Sequence, residues 1–146
     1  MRTDREDIVE LSDYAWGRFR DRMAGLTDDE WRWQPTKDDD LSLRWRLAHI
    51  AHFLAEDRNG PWLGLPVAAA DLPPATDAVT ALANVDGAYA LWRAQLADAE
   101  LAQPIGAVGG PYGAGTRRSF ALHIVDELIH HTAEAALFRD LYSGRL

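Results

Sequence analysis

The sequence contains no cysteine, which excludes both disulfide bonds and thiolate metal ligands. Any metal ion would therefore have to be held by histidine, aspartate or glutamate. Long apolar runs are also missing, because no segment approaches the roughly 18 uninterrupted apolar residues that a membrane helix needs. We therefore predict a protein without a membrane-spanning segment.

Basic residues are scarce relative to acidic ones: 15 Lys and Arg face 23 Asp and Glu, for a formal net charge of -8. Nucleic-acid binding needs clustered Lys and Arg that neutralise phosphates, and the sequence has no such cluster. We predict no nucleic-acid partner. The N-terminal residues 1–11 carry acidic side chains where a signal peptide would have an apolar core, which predicts a cytoplasmic protein.

The chain has enough apolar residues, 47% of 146, to build one sizeable core, and we expect residues 1–146 to form a single domain. No repeat and no convincing strand pattern occurs. Four long segments instead carry apolar residues at every third or fourth position, as helices do. These segments predict an all-α fold, an antiparallel four-helix bundle in which the Pro- and Gly-rich segment 60–74 is a long crossover loop.

Local signals delimit the first three helices. Thr3 and Glu6 form a capping box that opens the first helix, which we expect to end near residue 26. Ser42 is expected to cap the second, which Gly60 would end. The third is predicted over residues 75–99. The buried faces predicted for the first and third helices are Ile8, Leu11, Ala15, Phe19 and Met23, and Val79, Leu82, Val85, Tyr89, Trp92 and Leu96.

The last predicted helix, residues 118–142, has neither Gly nor Pro. One of its faces is apolar at both ends and carries Glu127 and His131, one turn apart, in its middle. Burying a charge costs several kcal/mol unless something pairs with it. A bound divalent metal is the simplest reason for this arrangement.

The second helix offers a partner for that pair. His49 lies between Trp45 and Phe53 at helical spacing, beside the apolar face. If the second and last helices face each other, His49 meets Glu127 and His131. Two imidazoles and one carboxylate leave a fourth position for water, as in catalytic zinc sites. Zinc is the predicted metal, with nickel as the alternative.

Two alternatives remain open at this stage. A histidine on a helix is more often structural than ligating. In addition, His123, Glu127, His130 and Glu134 form a second stripe, which would be a polar solvated ridge or a different ligand set. The apolar flanks favour the first stripe, because metal sites in helical bundles project inward.

The Gly-rich segment 104–116 is interpreted as a flap beside a site, because it lacks the GxxxxGK[ST] order of a phosphate-binding loop. Arg58 and Arg139 are two candidates for binding a substrate carboxylate. Ordinary salt bridges are the competing interpretation of both.

Two segments carry a resemblance to a known family. WRLAHIAHFL, residues 45–54, and ELIHHTAEAALFRDLY, residues 127–142, resemble the DinB-like superfamily of metal-binding four-helix bundles. The resemblance implies that His49, Glu127 and His131 are the metal ligands. Glu127 stands where the family often has histidine, as in the branch similar to the N-terminal domain of mycothiol-dependent maleylpyruvate isomerase. Glu134 stands where many relatives have glutamine.

The resemblance also implies a function. It predicts a metal-dependent S-transferase or isomerase that uses a low-molecular-weight thiol, such as mycothiol or bacillithiol, on a small-molecule substrate. It assigns no catalytic residue beyond the ligands. The alternatives are a metal-dependent hydrolase with Glu134 as general base, and a non-catalytic module that binds a small molecule or a partner. Members often form homodimers, for which the six Trp leave enough aromatic surface.

Overall fold

The computed structural model describes residues 1–145, which form six α-helices and one short 3₁₀ helix without any β-strand. The predicted all-α class is confirmed. Between residues 1 and 145, no helix combines the length and the apolar character that crossing a bilayer requires. The α-helices are α1 (Asp4–Met23), α2 (Asp28–Arg32), α3 (Leu43–Leu54), α4 (Asn59–Trp62), α5 (Ala78–Asp98) and α6 (Arg117–Gly144); the 3₁₀ helix is Ala107–Tyr112.

Short polar side chains begin the long helices, as the sequence predicts. Thr3 accepts a hydrogen bond from the backbone N–H of Glu6, and the Glu6 carboxylate accepts one from the backbone N–H of Thr3. Asp77 forms the same reciprocal box with Thr80 at the start of α5, whereas Ser42 caps α3 by accepting from the backbone N–H of Trp45 alone. These side chains satisfy amide groups that have no partner within the helix.

The helix that carries His49 ends earlier than predicted, at Leu54 instead of near residue 59. The buried Asn59 amide donates to the carbonyls of Phe53 and Leu54, at 2.9 and 3.3 Å, and so satisfies the end of α3. Gly60 and Pro61 then lie inside α4 and do not act as terminators. Proline is tolerated there because the first turn of a helix needs no intrahelical N–H bond.

The long helices pack around one core: α3 lies against α5 and α6, and α1 lies against α6 and α5. Two positions of the predicted faces are wrong, since Leu11 is 43% and Val79 is 75% exposed, and Leu82 is only partly buried. Ser12 takes the buried place beside Leu11, because its hydroxyl is paired with that of Tyr89 at 3.2 Å. Alanines take the place of Val79 on α5, where Ala78 and Ala81 are buried.

The Gly-rich segment 104–116 forms a compact arch closed by an antiparallel bridge between Pro104 and Thr116. It contains the 3₁₀ helix, which lies against α4. Gly106 and Gly110 have φ values of 88° and 53°, in the region that favours glycine. This arch leads directly into α6, whose N-cap is Thr116.

Candidate metal centre

The three predicted ligands meet where α3 packs on α6. Nε2 of His49 lies 3.1 Å from Nε2 of His131, which in turn lies 3.0 Å from Oε2 of Glu127. One nitrogen or oxygen from each residue lies within 4.8 Å of the others. Glu127 and His131 are one turn apart on α6, whereas His49 reaches them from α3.

The cluster is half-buried and has an aromatic wall. The side chain of His131 is 14% exposed and that of Glu127 is 31% exposed. Trp45 stacks on the His49 ring, with centroids 4.7 Å apart, and Phe53 lies 5.6 Å from His49 on its other side. These rings restrict water on one side while the carboxylate keeps partial access to solvent.

The environment of His49 favours the neutral imidazole. Burial lowers its pKa below 6.5, and the nearby His131 ring lowers it further, against an opposing effect of Glu127. Only the unprotonated nitrogen of an imidazole can bind a metal, so a lowered pKa keeps His49 available as a ligand at neutral pH.

Glu134, which the sequence analysis named as a candidate general base, contacts the cluster, and Arg46, which it did not name, contacts Glu134. Oε1 of Glu134 lies 2.6 Å from Nδ1 of His131, and Oε2 lies 3.3 Å from the Arg46 guanidinium. Arg46 is itself 12% exposed and stacks on Trp45. The available signal was helical spacing, because Glu134 follows His131 by three positions and Arg46 precedes His49 by three.

Each ring nitrogen of His131 has a carboxylate neighbour, Glu134 Oε1 at 2.6 Å from Nδ1 and Glu127 Oε2 at 3.0 Å from Nε2. A metal ion bound at Nε2 would require the ring proton of the imidazole to be on Nδ1, where the Glu134 carboxylate can accept it. Metal-bound histidines commonly show this carboxylate contact on the opposite ring nitrogen.

The donor set and its spacing fit a divalent cation. Ligand atoms at about 2.0–2.1 Å from a tetrahedral zinc are about 3.3 Å apart, close to the 3.0 and 3.1 Å separations here. Imidazole and carboxylate are ligands that zinc and nickel accept.

The second stripe is arranged differently. The side chain of His130 is 61% exposed, and its Nε2 lies 3.5 Å from the Glu134 oxygen that already contacts His131. His130, His131 and Glu134 therefore form a second, more exposed group of potential ligands. His123 belongs to neither group of converging donors and lies one turn before Glu127 on α6.

A cavity of about 510 Å³ opens between α4, the arch and the start of α6. One of its lining residues, His123, lies one helical turn from Glu127 on α6, although no member of the cluster lines the cavity. We call it the arch cavity; its lining residues are Arg58, Trp62, Ile105, Pro111, Tyr112, Gly115, Ser119, Phe120 and His123.

The structure also separates the two arginine candidates. Arg139 pairs with Glu30, with Nε 2.9 Å from Oε1, and donates to the carbonyls of Arg22 and Ala24. It is therefore a structural residue. Arg58 lines the arch cavity instead.

We expect Glu134→Gln to weaken zinc binding about 10- to 100-fold, the usual effect of losing a carboxylate behind a histidine ligand. The amide keeps the size of the side chain but lacks the charge that makes His131 a stronger ligand. Competition with a chromophoric chelator measures the affinity. Asp126→Asn removes an exposed acid from the same helix and is the matched control; equal losses in both variants would contradict the role of Glu134.

The fold and the cluster define a class: an all-helical protein with a half-buried group of histidine and glutamate side chains between two core helices. Residues 12–135 match the family model described as the DinB superfamily. The chain therefore belongs to the DinB superfamily, as its two segments on α3 and α6 predicted. No curated protein sequence and no solved structure matches the chain.

Proposed function

We propose that His49, Glu127 and His131 bind one divalent metal ion, zinc or alternatively nickel. The observation that carries this proposal is the meeting of three donor atoms from two helices around His131, whose ring is oriented by Glu134. The DinB superfamily is often metal-binding, which supports the same assignment.

We further propose that the protein is a metal-dependent S-transferase or isomerase that uses a low-molecular-weight thiol of the mycothiol or bacillithiol type. When bound, a divalent metal with an open position lowers the pKa of a thiol and so makes a nucleophile available at neutral pH. Glu134 orients His131, while Trp45 and Phe53 exclude water from one side. The arch cavity, one turn away, would receive the small-molecule substrate.

The hydrolase alternative requires a general base that is free to take a proton from water. Glu134, its candidate, has one oxygen at His131 and the other at Arg46. This engagement disfavours it as a base and supports a positioning role. A non-catalytic module would bind a small molecule or a partner and turn over no substrate.

The arrangement of the helices is also part of the proposal. We propose that the four long helices form the antiparallel bundle expected from the sequence, since α3 and α1 each pack on both α5 and α6. A single domain over residues 1–146, a homodimer, a cytoplasmic location and the absence of a nucleic-acid partner stay predictions from sequence.

The activity is tested by incubating zinc-loaded protein with mycothiol or bacillithiol and a model electrophile such as monochlorobimane. We expect conjugation above the rate of thiol and electrophile alone, and loss of this excess in the His49→Ala variant. Background rates with both thiols and with either metal would argue against a thiol-dependent enzyme. Turnover of ester substrates without any thiol would favour the hydrolase instead.

A further inference from the structure

A positively charged side chain lines the arch cavity, although the protein as a whole is acidic. Arg58 lines it, no acidic side chain does so among residues 1–145, and the formal net charge of the chain is -8. The guanidinium has a neighbour in Glu56, whose Oε2 lies 3.3 Å from Nε. Among residues 1–145, the buried Nε of Arg58 has no hydrogen-bond partner, and Glu56 is the one carboxylate that lies within 4.0 Å of the guanidinium.

Aromatic rings form the body of the cavity. Trp62 lies 5.0 Å from Phe120 and 6.1 Å from Tyr112, centroid to centroid. The Arg58 guanidinium lies 4.8 Å from the centroid of Trp62 and 5.6 Å from that of Phe120. Contacts with these two rings restrain the guanidinium, a group that can form two parallel hydrogen bonds to a carboxylate.

We propose that the arch cavity binds an aromatic carboxylate, with Arg58 holding the carboxylate and the rings of Trp62, Phe120 and Tyr112 holding its planar body. The volume of about 510 Å³ lies within the range of small-molecule sites. As a substrate assignment this inference rests on the proposed function, because it places the electrophile in a cavity whose lining residue His123 is one helical turn from Glu127. The binding site itself depends only on the arch cavity.

The test measures binding of 2-naphthoate, neutral 2-naphthamide and saturated decalin-2-carboxylate to the full chain by NMR titration. For 2-naphthoate we expect low-millimolar or tighter affinity, at least about tenfold tighter than for the amide, because a hydrogen bond to a charged partner contributes about that factor. The saturated acid should bind several-fold more weakly than 2-naphthoate. Equal affinity for acid and amide, or no binding of 2-naphthoate, would overturn the proposal, and equal affinity for the two acids would overturn its aromatic part.

Three variants locate the site. Arg58→Gln should weaken 2-naphthoate about tenfold and leave 2-naphthamide unchanged, whereas Arg18→Gln, which removes an exposed arginine on α1, should change neither. Glu56→Gln removes the competing carboxylate and should tighten 2-naphthoate, which tests the site even if Arg58→Gln does not fold. Equal weakening by Arg58→Gln and Arg18→Gln, or no change with Glu56→Gln, would contradict the assignment.

Metal content measured on the same samples separates this inference from the proposed function. Arg58-dependent binding of 2-naphthoate by protein that holds no zinc or nickel would support the cavity site and remove the metal proposal. Protein that holds stoichiometric metal but binds 2-naphthoate and 2-naphthamide equally would support the metal proposal and contradict the cavity site.

Discussion

His131→Ala is expected to weaken zinc binding by about 10²- to 10³-fold. The basis is that structural zinc sites bind with about 10–16 kcal/mol shared by four ligands, so one ligand contributes about 2.5–4 kcal/mol. His131 is also the central residue of the cluster, since it contacts His49, Glu127 and Glu134. Elemental analysis of purified protein and competition with a chelator measure the loss. Glu127→Ala should lose metal as well.

His130→Ala is the matched control for this prediction. It removes an imidazole from the adjacent position on the same helix, but one whose side chain is 61% exposed. Its zinc affinity should stay within a few-fold of that of the unchanged protein. If His130→Ala or His123→Ala lost the metal while His131→Ala retained it, the second stripe would be the binding site.

The second large effect is on stability: Glu30→Ala should lower the free energy of unfolding by about 3–5 kcal/mol. Glu30 is only 6% exposed, and both of its oxygens accept hydrogen bonds from Arg139, at 2.9 and 3.1 Å. Glu30 also closes the capping box of α2 with Thr27. Its removal leaves a mostly buried guanidinium without its counter-charge and the backbone N–H of Thr27 without its carboxylate acceptor. Urea denaturation followed by tryptophan fluorescence measures the change.

An exposed ion pair provides the comparison. Asp140 pairs with Arg22 but its side chain is 62% exposed, so Asp140→Ala should cost less than about 1 kcal/mol. Comparable losses in the two variants would mean that burial of the Glu30 pair contributes nothing. Zinc affinity should be unchanged in both, since neither residue contacts the cluster.

The same pair predicts a pH dependence. Burial acts to raise the pKa of Glu30, but hydrogen bonds from Arg139 and Thr27 outweigh it and hold the pKa below 4.5. Because the folded pKa is the lower one, the contribution of Glu30 is fully present above pH 4.5 and is lost as the pH falls through the folded pKa. Glu30→Gln should therefore flatten the acid limb of the stability curve. If the free energy of unfolding of Glu30→Gln fell with decreasing pH as steeply as that of the unchanged protein, other groups would be responsible for acid unfolding.

The sequence by itself determined the helical class, the helix starts and the three candidate ligands. Capping is a local interaction, so Thr3 and Ser42 mark helix starts without reference to the rest of the chain. Helical spacing likewise puts Glu127 and His131 on one face whatever packs against it. That His49 would lie beside them followed from the family resemblance and from the apolar flanks, and metal binding by the three stays a prediction.

Only the tertiary structure decided which polar groups meet across helices. Arg46 reaches Glu134, Arg139 reaches Glu30, and Arg58 is left facing a cavity. It also decided which of Leu11 and Ser12 is buried, because the Tyr89 hydroxyl that satisfies Ser12 comes from α5. The physical reason is the range of the interactions: periodicity fixes neighbours three or four positions apart, whereas partners from different helices depend on how those helices pack.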